Sequence, residues 1–371
     1  MKIANGHEII QLFERFSPKS LAMEGDKIGL QIGRLNKKVE RIMIALDVLE
    51  EVIDEAIEKN VQLIIAHHPP IFRPLKNLLT DTTQGRMIEK LLKHDIAVYA
   101  AHTNLDVATG GVNDLLAAAL GLENPKVLVP TYETPLKKIV VFVPKSHEEQ
   151  VRQALGHAGA GFIGNYSHCS FSTEGTGRFL PGEDSNPFLG KPGKLEEAEE
   201  VRMETIIPES MLKKALSAII KAHPYEEAAY DVYPVDNKGE VLGLGRIGTI
   251  QEMTLKEFAE KVKAMLEVDK VRVVGDLTAK IKKVAVLGGD GNKYFTQAKF
   301  NGADVYVTGD IYYHTAHDAM MQGLNMIDPG HNVEKVMKKG VITVLKKMCE
   351  ESGYQVEIIP SEINTDPFQF I

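Results

Sequence analysis

Two adjacent histidines end an apolar run in the stretch LIIAHHPPIF, residues 63–72. The run favours a buried strand, and the two prolines that follow hold the chain extended as it leaves that strand. His67 and His68 can then turn toward a common site, where imidazole nitrogen is a good ligand for divalent transition metals. Among 12 histidines in 371 residues an adjacent pair also arises by chance, so this pair needs support from elsewhere in the chain.

Two further segments place metal-binding side chains where predicted strands end. The segment AHTNLD carries His102 and Asp106, and the segment IDPGHNVEK carries His331 and Glu334. Residues three apart share one face of a helix, so His331 and Glu334 can address the same centre. Each segment alone has a plainer interpretation: Asp106 could cap the following helix, and His331 with Glu334 could be a solvated pair.

Together the three segments offer four imidazoles and two carboxylates for a two-metal site. Carboxylates can bridge two cations, whereas imidazoles bind them singly, and this mixture suits borderline divalent ions. Zn²⁺ fits best, and Mn²⁺, Co²⁺ or Fe²⁺ are also compatible. The high proportion of nitrogen disfavours Ca²⁺ and Mg²⁺.

An α/β architecture is expected to position these side chains. Short β-rich apolar runs alternate with helical patterns at residues 41–48, 61–68 and 96–106, and the same alternation returns from residue 282 onward. This pattern predicts a mixed, largely parallel sheet, and functional groups gather at the carboxyl ends of such strands. We therefore predict one discontinuous metal-binding domain, formed by residues 1–130 and 245–371.

Residues 131–244 have a different pattern. The strand-like KKIVVFV is followed by helical, Gly-rich and strand-like stretches in the order strand, helix, strand, strand, helix, strand. That is the order of a ferredoxin-like α+β domain, and about 115 residues is a normal size for an insertion. We predict a ferredoxin-like domain inserted into the α/β domain.

Composition disfavours several classes of protein. With 43 Lys and Arg against 51 Asp and Glu, the net charge of −8 argues against a nucleic-acid partner. No apolar run reaches the ~20 residues of a membrane helix. The N-terminus predicts an amphipathic helix, with Asn5 and Glu8 at capping-box spacing, and not a signal peptide, so we expect a cytoplasmic protein. Cys169 and Cys349 are too far apart in sequence to suggest a thiolate metal knuckle, and Cys169 is interpreted as a small buried residue.

Several motifs resemble, in the same order, the signatures of the NIF-three-like family, whose members are also described as dinuclear metal centre, hexameric proteins or GTP cyclohydrolase 1 type 2 homologues. These motifs are GDKIGLQIG, HHPPIF, HTNLD, GGVND, GDIYYH and DPGHNVE. The middle segment, with GFIGNYSHCSFSTEGTGRF and HPYEEAAYDVYP, resembles the PII/CutA-like insert of the longer bacterial members.

The resemblance implies a set of site residues and an assembly. It implies two divalent ions per chain, held by His67, His68, Asp106, His331 and Glu334, and a toroidal homohexamer. The implied reaction is the opening of the imidazole ring of GTP by metal-bound hydroxide. His102 and His314 are candidate proton shuttles, although both could instead orient ligands through hydrogen bonds.

Other functions stay open at this point. The same metals could serve a hydrolase for another small substrate, or a regulatory scaffold without turnover, and the insert could bind an effector or a partner protein. Arg73 and Lys76, which follow the histidine pair, could bind a phosphate or simply be solvated.

Overall fold

The computed structural model describes residues 2–371 and divides the chain into two compact units. One unit comprises Met1–Tyr132 and Leu242–Ile371, and the other comprises Glu133–Val241. The mixed α/β architecture predicted from the sequence is confirmed, since helices alternate with several mixed sheets. Within residues 2–371 no helix is both long and apolar enough to cross a membrane.

Strands and helices are labelled in chain order. The first segment contains β1 Lys2–Asn5, α1 Gly6–Phe16, β2 Gly29–Ile32, β3 Lys38–Val39, β4 Arg41–Ala45, α2 Glu50–Glu58, β5 Leu63–Ala66, α3 Thr83–Lys93, β6 Ala97–Ala100, α4 Thr103–Val107, α5 Val112–Ala119 and β7 Glu123–Glu133. The middle segment contains β8 Leu136–Pro144, α6 Glu148–Ala158, β9 Phe171–Phe179, β10 Glu196–Pro208, α7 Leu212–Ala222 and β11 Tyr230–Pro234. The last segment contains β12 Val241–Thr254, α8 Leu255–Leu266, β13 Arg272–Val274, β14 Lys280–Asp290, α9 Phe295–Phe300, β15 Val305–Gly309, α10 Tyr313–Met321, β16 Asn325–Asp328, α11 Val336–Glu351, β17 Tyr354–Gln355 and β18 Glu357–Pro360.

The first helix begins as its sequence predicts. The Asn5 side chain caps α1, and Glu8 Oε2 accepts a hydrogen bond of 2.8 Å from the Asn5 backbone N–H, which completes the capping box. These bonds satisfy backbone donors that the first turn of a helix leaves free.

A five-stranded sheet carries the first part of the site. Its order is β18-β4-β5-β6-β2, with β18, β4, β5 and β6 parallel and β2 antiparallel to β6. Every residue of β5 and β6 is buried, as expected for parallel strands covered on both faces. The carboxyl ends of these two neighbouring strands lead directly to His67 and His102.

The strand predicted over residues 96–106 is shorter than expected. It ends at Ala100, and Asp106 lies in the short helix α4. The Asp26 carboxylate explains this difference, because it accepts a 3.0 Å hydrogen bond from the Thr103 backbone N–H and so begins the helix. This contact spans 77 residues of sequence, so local β propensity does not reveal it.

A six-stranded sheet and helix α11 carry the second part of the site. The sheet order is β13-β16-β15-β14-β12-β7, and its central strands β14, β15 and β16 are parallel. After β16 the chain forms the 3-10 helix His331–Lys335 and continues into α11. Helix α11 is anchored by buried side chains at four-residue spacing, which are Met337, Val341, Leu345 and Cys349. The 3-10 helix is therefore held at both ends by packed structure.

The Glu133–Val241 unit has an antiparallel sheet with two helices. The strand order is β11-β8-β10-β9, so the sheet order of its four strands, numbered along this unit, is 4-1-3-2. Side chains from β8 and β10 pack with α6 and α7 in one apolar cluster. Cys169 was expected to be buried, but it is partly exposed, in the loop between α6 and β9.

Candidate metal centre

The three strand-end segments singled out in the sequence meet at one place. The ring centroids of His67 and His68 lie 5.0 Å apart, and His67 and His102 are separated by 5.4 Å. His331 comes from the other end of the chain, and its ring centroid lies 5.2 Å from that of His68. The folded unit thus brings four imidazoles together from distant parts of the sequence.

Two carboxylates complete this cluster. The potential ligand atoms of these side chains form three sets. Within each set, all of the atoms lie within 4.8 Å of one another. The sets are His67, His68 and His102; His68, His331 and Glu334; and His67, Asp106 and Glu334. All five residues expected to bind metal lie in this cluster, and His102 accompanies them.

The imidazoles on the strand ends are held through Nδ1. His67 Nδ1 lies 2.9 Å from the Ala101 carbonyl oxygen, and His68 Nδ1 lies 2.7 Å from Asp47 Oδ1. Because each partner is an oxygen acceptor, Nδ1 carries the donated proton and Nε2 faces the cluster. A histidine that binds metal through one nitrogen typically donates its other N–H in this way.

The other two imidazoles are held in the same manner by aspartates. His102 Nδ1 donates to Asp26 Oδ1 at 2.8 Å, and His331 Nδ1 donates to Asp310 Oδ2 at 2.6 Å. All four rings therefore have a fixed orientation with Nε2 available to a ligand or a proton.

Two buried polar atoms in the centre lack a hydrogen bond. His67 is fully buried, and within residues 2–371 neither its Nε2 nor Asp106 Oδ1 has a hydrogen-bond partner. The two atoms lie 3.7 Å apart, beyond hydrogen-bond distance. A buried polar atom without a partner costs about 1–3 kcal/mol, so the site is built to be satisfied by something else. A divalent cation fits, because a bare imidazole nitrogen and a carboxylate oxygen are both electron-pair donors.

Glu334 lies at the middle of the cluster. Its Oε2 is 3.1 Å from His68 Nε2, 3.2 Å from His331 Nε2 and 3.7 Å from His67 Nε2. The 3-10 conformation of residues 331–335 contributes to this, because residues i and i+3 eclipse in a helix with three residues per turn. The predicted shared face of His331 and Glu334 is thus present in a tighter helix than expected.

Glycines on the β14 side make room for this carboxylate. A Cβ added to Gly289 would lie 2.8 Å from Glu334 Oε1 and 3.2 Å from His331 Nε2, and one added to Gly288 would lie 3.0 Å from Glu334 Oε1. Gly289 also has a φ of +66°, which side chains disfavour. Gly288 and Gly289 therefore form a glycine wall of the centre, and a larger residue there would fill the space of the carboxylate.

The charges of the centre shift the pKa values of its groups. Burial acts to lower the pKa of His68, but its hydrogen bonds to two carboxylates outweigh this and raise the pKa to about 10. The hydrogen bond to Glu334 raises the pKa of His331 to about 9. Burial raises the pKa of Asp106 to about 6, whereas neighbouring histidines outweigh burial and keep the pKa of Glu334 well below its usual range. Without a metal ion the centre thus retains protons that a bound cation would displace.

A cavity of about 740 Å³ opens beside these side chains. Its lining includes the rings of Phe72 and Tyr294, the amine of Lys293 and the carboxylate of Asp290. Asp290 Oδ2 accepts a hydrogen bond of 2.5 Å from the Tyr312 hydroxyl, which helps to hold the pKa of this carboxylate below its usual value against the effect of burial. A volume of this size accommodates a small molecule.

Three residues considered in the sequence lie apart from the cluster. His314 is exposed on α10 and makes a ring contact with Tyr313, at 5.4 Å between centroids. Arg73 and Lys76 are also exposed. Among the described residues, none of these three lines the cavity or belongs to the ligand sets.

Three aspartates that orient the rings were not predicted from the sequence. Asp47 follows β4 by two residues, Asp310 directly follows β15, and Asp26 lies in the GDKIG motif. Asp47 and Asp310 could have been predicted in the same way as the histidines, since both lie at carboxyl ends of parallel strands. Asp26 gave no comparable signal, because it lies in a loop 76 residues before His102.

Fold and site together define an α/β protein with clustered imidazoles and buried carboxylates that could hold metal ions. Residues 4–367 match the family model described as Duf34/NIF3 (NGG1p interacting factor 3), and the chain belongs to this family. It is 63% identical over 371 residues to a Bacillus subtilis protein named GTP cyclohydrolase 1 type 2 homolog, and the match covers 100% of both chains.

Solved structures support the same membership. The chain is similar to a Bacillus cereus protein related to NIF3, with 64% identity, a TM-score of 0.95 and 100% coverage of both chains. It is also similar to a Staphylococcus aureus protein of known structure, with 35% identity, a TM-score of 0.78 and 100% coverage of both. The recognition of the family from its motifs is therefore confirmed.

Proposed function

We propose that this protein binds two divalent metal ions and is a metal-dependent hydrolase of the GTP cyclohydrolase 1 type 2 kind. The observation that carries the proposal is the pair of buried atoms His67 Nε2 and Asp106 Oδ1, which have no hydrogen-bond partner within the described residues 2–371 and lie beside a carboxylate shared by three imidazoles. The names of the relatives support the choice of GTP as the substrate.

Each metal ion has its own ligands in this proposal. His67 and Asp106 would hold one ion, His68 and His331 the other, and Glu334 both. Zn²⁺ suits this nitrogen and oxygen set best, and Mn²⁺, Co²⁺ or Fe²⁺ are compatible with it. Ions bound there would supply an activated water and polarise the substrate at neutral pH.

The cavity residues would position the substrate. The rings of Phe72 and Tyr294 offer flat apolar contact for a purine, and Lys293 offers a positive charge for its phosphates. In the reaction on GTP the imidazole ring of the base would be opened, and the chain must then transfer protons. His102 is the better supported proton carrier, because it lies in the cavity with Nδ1 held by Asp26. A role for His314 has less support, because that side chain is exposed on α10.

A hydrolase for another small substrate is the alternative that the cavity favours. Two aromatic rings and one lysine suit any planar ring that carries an anionic group, and they do not select guanine. A non-catalytic scaffold is the weaker alternative, because a purely structural metal site has no need of an open cavity of about 740 Å³ beside it.

Further parts of the proposal concern organisation. We propose that the Glu133–Val241 unit is an inserted ferredoxin-like, PII/CutA-like domain, supported by its strand and helix order and its 4-1-3-2 sheet. We also propose a toroidal homohexamer in the cytoplasm. The exposed apolar side chains around α10 support self-association, and they include Phe300, Tyr312, Tyr313, Met320 and Met321.

The test measures metal content and turnover in the same samples. Protein loaded with Zn²⁺ or Mn²⁺ is incubated with GTP, and the products are separated by chromatography with fluorescence detection for a pterin. His68→Ala should lose metal and product together. His94→Ala is the matched control, because His94 is an exposed histidine beyond the end of α3.

The outcomes distinguish the proposed activity from its alternatives. A pterin product formed by wild-type protein and His94→Ala, and absent with His68→Ala, supports the cyclohydrolase reaction. Two metals per chain without any product from GTP would refute GTP as the substrate and leave the metal centre in place. Full metal content in His68→Ala would refute the ligand assignment.

A further inference from the structure

The Glu133–Val241 unit contains a cavity of its own, of about 480 Å³. It lies on the side of the sheet that faces away from α6 and α7. Val141 and Met203 pack with these helices, whereas Phe142 and Glu200, at alternate positions of β8 and β10, line the cavity. Successive side chains of a strand point to opposite faces, so the helices and the cavity occupy different faces of one sheet.

Aromatic rings form the walls of this cavity. The Tyr225 ring contacts two phenylalanines, with its centroid 5.8 Å from that of Phe179 and 6.1 Å from that of Phe188. Phe188 is 50% exposed, and so is available to a ligand. The faces of aromatic rings carry negative electrostatic potential and attract cations.

The polar groups of the cavity are mainly acidic. The carboxylate of Glu200 accepts a hydrogen bond of 2.9 Å from the Tyr225 hydroxyl, and Glu226 and Glu227 also line the space. Arg178 is the single lysine or arginine among the described residues that line it, and its guanidinium donates a 2.8 Å hydrogen bond to Glu197. Net negative charge and aromatic walls thus occur together.

The position of the aromatic and acidic groups is set by the backbone around them. His223 is buried, its Nε2 donates to the Phe142 carbonyl at 2.8 Å, and its Nδ1 accepts from the Tyr225 N–H at 3.1 Å. These bonds fix the loop that carries Tyr225 against β8. On β9, a Cβ at Gly177 would overlap the Glu200 carboxylate, so this glycine leaves space for the acidic group.

We propose that this cavity binds a small organic cation with an alkylated ammonium group. The alkyl groups would pack against the three rings, and the charge would be balanced by Glu200 and the ring faces. A small metal ion is a poorer match, because it needs several oxygen ligands at short distance and gains little from phenylalanine. The volume lies within the range of small-molecule sites. This site is independent of the metal centre and of its proposed reaction.

Choline and its neutral isostere 3,3-dimethylbutan-1-ol test the role of the charge. Binding of each compound to the full-length, metal-loaded protein is measured by isothermal titration calorimetry. We expect choline to bind at least tenfold more tightly than the neutral alcohol, because the two share their shape and differ in charge.

Variants test the residues. Glu200→Gln should weaken choline binding about fivefold, as expected for one partly exposed charge contact. Tyr225→Ala should weaken it by about tenfold or more through loss of the central ring. Gly177→Ala should weaken it by displacing the Glu200 side chain. Glu199→Gln is the matched control, because it makes the same change one residue away, on an exposed side chain that points to the other face.

Several results would overturn the proposal. Equal affinity for choline and the neutral alcohol would mean that charge plays no part. An unchanged affinity for choline in both Glu200→Gln and Gly177→Ala would place binding elsewhere. If Tyr225→Ala does not fold, these two variants still test whether choline binds in this cavity. Absence of choline binding would also refute the proposal. If Glu200→Gln then changed the oligomeric state measured by sedimentation, the occupant of this face would be a second copy of the chain.

Discussion

Replacing Glu334 by alanine tests the side chain that the parts of the metal centre share. Glu334 is 3% exposed, and its Oε2 lies 3.1 Å from His68 Nε2 and 3.2 Å from His331 Nε2. A carboxylate placed between several imidazoles can contribute to both of the proposed metal ions. We therefore expect Glu334→Ala to lose bound metal from both positions and to lose thermal stability with it.

The size of the effect follows from binding linkage. A metal ion present at about 100 times its Kd stabilises the folded state by about 2.7 kcal/mol. For a unit of this size, each kcal/mol shifts Tm by about 2–4 °C. Loss of one ion should therefore lower the Tm of the metal-loaded protein by about 5–10 °C, and loss of both, as expected for Glu334→Ala, by about 10–20 °C.

The assay compares thermal unfolding after treatment with a chelator and after reloading with Zn²⁺, beside metal analysis by mass spectrometry. The zinc-dependent part of Tm isolates metal binding from any loss of packing in the variant. Glu351→Ala is the control, since Glu351 is an exposed carboxylate at the end of α11. A Glu334→Ala variant that kept two metal ions and the full zinc-dependent shift would show that Glu334 is not a shared ligand.

Three further predictions address the glycine wall, the thiols and the middle unit. Gly289→Ala should remove metal, because its Cβ would lie 2.8 Å from Glu334 Oε1. Gly25→Ala is also at positive φ, but its added Cβ would have no atom of residues 2–371 within 4 Å. It should lose about 1–2 kcal/mol of stability in urea unfolding and keep its metal. A thiol reagent at pH 8 should modify only Cys169 in the folded protein and both cysteines in denaturant, because burial raises the pKa of Cys349 to about 11. Fast modification in Cys169→Ser would contradict this. Deleting residues 133–241 and joining the ends by a short Gly-Ser linker should leave a folded, metal-binding protein. The two ends of the deleted segment lie side by side, since the Thr134 N–H donates to the Glu240 carbonyl at 2.9 Å, and a short linker can therefore replace the segment. An unfolded product by circular dichroism would mean that the two units share a core.

Much of the α/β fold could be predicted because its signals are local. The buried strand β5 is visible as an unbroken apolar run, and α1 is visible through its capping residues Asn5 and Glu8. The end of β6 could not be predicted in this way, because Asp26 begins α4 from a distant loop. Cys169 likewise lies in a loop whose exposure is not visible in its composition.

In the candidate site, too, some features could be predicted from the sequence and others required the fold. Its imidazoles and carboxylates were found from residue type at strand ends. The hydrogen bonds from His68 to Asp47 and from His331 to Asp310, each across 21 residues, required the folded chain. The position of His314 outside the cluster also depends on how α10 is oriented, which its neighbours in sequence do not reveal.

The alternation of strands and helices, the chemical types at the strand ends and the family could be predicted from the sequence alone. These properties depend on local periodicity and on motifs that adjacent residues form. Only the folded chain shows that His67 Nε2 and Asp106 Oδ1 are buried without a hydrogen-bond partner among the described residues, that Glu334 lies close to three imidazoles, and that Gly289 leaves it room. These depend on distances between residues far apart in the chain, which are set by the packing of strands and helices that no single segment encodes.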